Sequence, residues 1–155
     1  MVTFKQLNHG WNADPNAPEP LVSVDGSELQ LTLYVNTFQF PGFAKDSKAT
    51  IRFKSCKRYR LGPTNDEGWH MGQCRFGSMA PAWGEFYQIS GDSELLVSPP
   101  DWVILGPQGP ATLHYLFYLK DETFECLADS WELRLPANNS FKPKPLPRPR
   151  LVRRD

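Results

Sequence analysis

The chain has 155 residues, 40% hydrophobic and 22% charged, which is one domain's worth of protein and enough to bury a core without disulfide staples. That composition excludes disorder throughout. The formal net charge is zero, but six of the 17 basic residues lie between Lys142 and Asp155 with a single acid, so residues 1–141 carry eleven basic and sixteen acidic groups. An acidic body argues against a folded nucleic-acid-binding face, which needs clustered positive charge.

Aromatics at 13% and 15 prolines favour short strands and turns over helices. Residues 1–20 are expected to be an irregular wrap, in which Phe4 and Leu7 can start an edge strand. The segment 11–20 holds too many prolines for a ladder, and Trp11 is its expected anchor. The first strong strand is 29–35, where Leu29, Leu31, Leu33 and Val35 alternate with Gln30, Thr32 and Tyr34. Residues 49–55 alternate in the same way through Ile51 and Phe53, and 58–61 places Tyr59 and Leu61 on one side. Residues 62–68 (Gly-Pro-Thr-Asn-Asp-Glu-Gly) are a loop dense in turn formers. Strands are then expected at 71–76, 83–89, 95–97 and 102–105, with Pro99-Pro100 forbidding a continuous ladder between the last two.

Residues 113–119 (Leu-His-Tyr-Leu-Phe-Tyr-Leu) are apolar on both faces apart from His114, the mark of a central strand covered on both sides. A turn at 120–122 returns the chain alongside through 123–135. Phe124, Cys126 and Ala128 share one parity and Trp131, Leu133 and Leu135 the other, which predicts a β-bulge near Asp129-Ser130. The sum is an all-β fold, an antiparallel β-sandwich or flattened barrel over residues 1–136. Residues 137–155 form a basic, proline-rich tail of extended polyproline type. An SH3-type ligand needs proline at i and i+3, and Leu146, Arg148 and Arg150 occupy those positions. The tail offers at most weak attraction to an acidic partner or to RNA.

Candidate chemistry is sparse. Cys56, Cys74 and Cys126 make an odd count without metal-knuckle spacing, and His70 with Cys74 falls short of the convergent ligands that zinc requires. No metal and no cofactor are expected. Cys126 lies on the core parity of its strand, as a packed thiol rather than a nucleophile. Ser78 lacks the nucleophile-elbow glycines, and no phosphate-cradling or dinucleotide-binding loop is present. The N-terminus has no apolar run and no segment has the length to cross a bilayer, so a cytoplasmic location with reduced thiols is expected.

Three stretches together carry a resemblance. Residues 59–67 read Tyr-Arg-x-Gly-x-x-Asn-Asp-Glu, and residues 121–126 read Asp-x-Thr-Phe-Glu-Cys. On these, and on residues 10–18 (Gly-Trp-Asn-Ala-Asp-Pro-Asn-Ala-Pro), the chain resembles small uncharacterised bacterial β-domain proteins. The resemblance implies a bacterial β-domain and brings no reaction with it.

The expected function is therefore non-enzymatic binding of another protein, of the kind that neutralises a toxin. The alternative is a small-ligand- or carbohydrate-binding domain, or a hydrolase, with carboxylates facing each other across an aromatic pocket. The candidate binding residues are Trp11, Asn65, Asp66, Glu67, Trp69, His70 and Glu85, of which Trp11 and Trp69 are expected to be accessible. Trp102 and Trp131 are expected to close the core.

Overall fold

A computed structural model describes residues 2–62, 82, 84–91, 102–107, 109, 112–120 and 122–137. Its ten described elements are all strands: β1 (Thr3–Gln6), β2 (Leu21–Asp25), β3 (Glu28–Tyr34), β4 (Lys48–Lys54), β5 (Arg58–Gly62), β6 (Phe86–Ser90), β7 (Val103–Ile104), β8 (Leu113–Tyr118), β9 (Thr123–Ala128) and β10 (Ser130–Arg134). They form two antiparallel sheets, one in the order β1-β6-β8-β9-β5-β7 and one in the order β10-β4-β3-β2. The fold is thus an open sandwich and not a closed barrel. The strands expected at 71–76 and 95–97 lie outside the described residues, as does the tail from residue 138 onward.

Alternation places the core. Leu29, Leu31 and Leu33 of β3 stand opposite Phe53, Ile51 and Ala49 of β4, and all six are fully buried or nearly so. Phe53 crosses the gap between the sheets, with ring centroids 5.3 Å from Tyr115, 5.5 Å from Phe124 and 5.9 Å from Phe86. Trp131 packs edge-on to Phe86 at 5.3 Å, closing that end as expected.

The parity change after Ala128 has a different cause from the expected bulge. β9 pairs with β8 and β5 in the larger sheet, whereas β10 pairs with β4 in the smaller one. Asp129 is the single residue between them, and its amide donates to Lys54 O at 3.0 Å. The strand changes sheets at this corner, so both side-chain sets face the one core from opposite sides.

Strand β2 was not legible as a strong alternation. It forms a hairpin with β3 through Gly26 and Ser27. Gly26 has φ +61°, and Ser27 has no positive φ, the signature of a type II′ turn that needs glycine first.

Candidate functional site

The N-terminal wrap builds the walls of the most promising surface. Trp11 is 1% exposed and packs 6.0 Å from the ring of Phe117. It is the expected anchor, but its expected accessibility is corrected: the indole lies in the core beside Phe117, where its large apolar area is removed from water. From that anchor the chain runs beside the end of β3. Asn36 N donates to Asn12 O, Asp14 N to Tyr34 O and Tyr34 N to Pro18 O, each at 2.9 Å. Asn8, 1% exposed, ties the wrap to β6. Its Nδ2 donates to Trp11 O and to Glu85 Oε1, and its Oδ1 accepts from Phe86 N at 2.9 Å.

Three adjoining clefts follow. The first, about 220 Å³, is lined by Asn12, Asp14, Asn36, Gln39, Glu85 and Lys120 among others. The second, about 280 Å³, meets it at Asp14 and continues past Glu19, Tyr34, Phe38, Lys45 and Asp46. The third, about 370 Å³, shares Glu19 and Tyr34 with the second and ends at Leu21, Lys48 and Glu122. Five carboxylates against three ammonium groups give the groove a negative balance. Glu19, at the junction, has φ +46° directly before Pro20, a conformation that costs a residue with a Cβ and that neighbouring structure must hold.

The connection from β3 to β4 presents Phe38 to solvent. Asn36 Oδ1 accepts from Phe38 N and Gln39 N at 3.1 Å each, and Phe40 N donates to Asn36 O. This Asx turn directs Phe40 and Phe43 against the core while Phe38 stays 77% exposed. Leu21, at the far end of the groove, is 67% exposed. These are the two most exposed large apolar side chains among the described residues. Val103 and Ile104, on β7 at the edge of the larger sheet, form a second and smaller exposed pair.

A separate cluster lies on the outer face of the larger sheet. Glu125 of β9 has no exposed surface, and its two oxygens lie 2.8 Å from Arg60 Nη1 and 2.7 Å from His114 Nε2. The Trp102 ring covers the cluster, with the guanidinium carbons of Arg58 and Arg60 5.9 and 6.0 Å from its centroid. Leu116, Tyr118 and Leu127 bury the rest of this face, so the sheet is covered on both sides. Cys56 and Cys126 are both buried, and Cys56 Sγ donates to Arg58 O at 3.5 Å. Burial pushes the Cys126 thiol well above its ordinary range, whereas the neighbouring Cys126 thiol lowers that of Cys56.

Of the candidate residues, Asn65, Asp66, Glu67, Trp69 and His70 lie outside the described residues. Glu85 lines the first cleft, half-buried, where Asn8 and Asn12 hold its two oxygens. Asn8, Asn12, Leu21 and Phe38 were not singled out from sequence. The signal for Phe38 was present: a connection rich in phenylalanine, opened by Asn36 and too long for a hairpin turn.

No protein-family model, curated protein or solved structure matches the chain. Among the described residues no cluster of three or more His, Cys, Asp or Glu could hold a metal ion, and no helix is long and apolar enough to cross a membrane.

Proposed function

We propose that the chain is a non-enzymatic protein-binding β-domain that engages its partner through Phe38, Leu21 and the acidic groove between them. The observation that carries this is Phe38: a phenyl ring 77% exposed on a turn closed by two bonds to a buried asparagine side chain. Interface energy concentrates in a few large side chains. An anchor already fixed before binding loses little conformational entropy when the partner arrives. The exposed ring supplies a large, rigid apolar contact area at one end of the groove, and the exposed Leu21 supplies a second at the other.

The hydrolytic alternative has less support. Its candidate carboxylates among the described residues lie in three different surroundings: Asn8 and Asn12 donate to Glu85, Arg60 and His114 hold the buried Glu125 on the outer face of the larger sheet, and Glu122 lines the third cleft.

The test is a capture experiment with the full chain, with Phe38→Ala and with Ile104→Ala, each quantified against the source cell's lysate. A protein retained by the parent and Ile104→Ala chains, and depleted about tenfold or more by Phe38→Ala, fits a hot-spot anchor. Retention unaffected by Phe38→Ala and lost with Ile104→Ala would move the interface to β7.

A further inference from the structure

Resting on the protein-binding reading, we infer that the first cleft receives a cationic side chain, lysine or arginine, from the bound partner. The cleft sets two carboxylates, Asp14 and Glu85, and the amide oxygens of Asn12 and Gln39 against one ammonium group, that of Lys120. Glu85 holds hydrogen bonds from Asn8 Nδ2 at 2.6 Å and from Asn12 Nδ2 at 3.4 Å, yet no lysine, arginine or histidine of the described residues pairs with it. Asn12 is 8% exposed, and its Oδ1 accepts no hydrogen bond. A buried oxygen without a donor costs about 1–3 kcal/mol and calls for one to arrive. Gln39 Oε1 turns inward to accept from Asn12 Nδ2 at 2.9 Å, and Asp14 stands at the junction with the second cleft.

Size and walls point the same way. At about 220 Å³ the cavity is smaller than the roughly 300–1,000 Å³ of sites for drug-sized ligands. It matches one long side chain. Pro15 and Leu119 offer apolar wall to a methylene stem, while carboxylate and amide oxygens meet the charged head. The negative balance of residues 1–141 would steer such a partner inward. Because Asn36 and Gln39 bracket Phe38 in one turn, the cationic side chain and the Phe38 contact would be made together.

The experiment titrates the full, isotope-labelled chain with a hexa-arginine peptide and with a hexa-glutamate peptide, following the side-chain amide resonances of Asn12 and Gln39. Saturable shifts at both are expected with arginine only. Glu85→Gln should weaken that binding about tenfold or more. Gln39→Glu, which keeps the acceptor to Asn12 and adds charge, should tighten it severalfold. Shifts spread over the surface, equal shifts with glutamate, or binding indifferent to both variants would overturn the cationic cleft. So would movement of the same resonances, with no peptide present, when the six basic residues of 142–154 become glutamine: the occupant would then be the chain's own tail. None of these outcomes bears on the Phe38 capture result, so the two conclusions fail separately.

Discussion

Arg60 donates to Glu125 across the β5–β9 ladder at 2.8 Å, although 65 positions separate them in sequence. Each belongs to one of the two motifs that stand out in the chain, so the motifs meet as neighbouring strands. Glu125 is fully buried, and a buried carboxylate is tolerated only when charge and hydrogen bonds surround it.

Removing the cation should therefore be costly. Arg60→Ala is expected to destabilise the chain by about 3–5 kcal/mol, read from urea unfolding midpoints. Arg60→Lys should recover only part of the loss, because an ammonium cannot reproduce the planar guanidinium beside Trp102. A cost below about 1 kcal/mol, as for an exposed pair, would show that the carboxylate is not held in this way.

Gly62 makes room for that guanidinium. A Cβ at this position would lie 3.0 Å from Arg60 Nη2. Gly62→Ala should cost about 1–3 kcal/mol by overpacking. In the Arg60→Ala background it should cost almost nothing further, since the crowded group is gone. A double-mutant cycle by thermal unfolding measures this coupling, and additive effects would refute it.

The turn beneath Phe38 depends on one side chain. Asn36→Ala removes the acceptor for Phe38 N and Gln39 N and should cost about 0.5–2 kcal/mol, by analogy with a lost helix cap. Amide hydrogen exchange at Phe38 and Gln39 should quicken while β3 and β4 stay protected. Partner capture should weaken through lost pre-organisation. Unchanged exchange would mean the turn holds itself without Asn36.

Alkaline stability should reflect the core. Burial, with Cys126 and Asp129 adding to it, pushes the Tyr115 phenol up to about 12, against about 10 in an unfolded chain. Between those values the unfolded chain releases the proton and the folded chain keeps it, so stability falls as pH rises from about 10 to about 12. Burial raises the Tyr87 phenol in the same direction. Urea midpoints across that range should decline while native tyrosinate absorbance lags behind that of the unfolded chain. A midpoint independent of pH there would contradict the burial of Tyr115.

Much of the fold was legible because alternation is written locally. Glu28–Tyr34 and Lys48–Lys54 emerged within a residue of their expected bounds. β8, apolar on both faces, is indeed central and buried on both. The candidate site was less legible. Trp11 looked like a loop tryptophan free to stack on a ligand, and only the packing of Phe117 against it shows where the indole goes. Glu85 was singled out for its charge, but its amide partners, Asn8 and Asn12, lie more than 70 positions away.

By itself the sequence determined the strand periods and inward residues of β3 and β4, and the acidic body with its basic tail. These follow from the two-residue repeat of extended backbone and from formal charge, both local properties. Only the tertiary structure decided that Asp129 turns the chain into the second sheet, that Arg60 meets Glu125, and that Phe38 faces water while Phe40 and Phe43 face the core. Those outcomes depend on which distant strands pair and on what space the paired sheets leave, and no window along the chain contains that information.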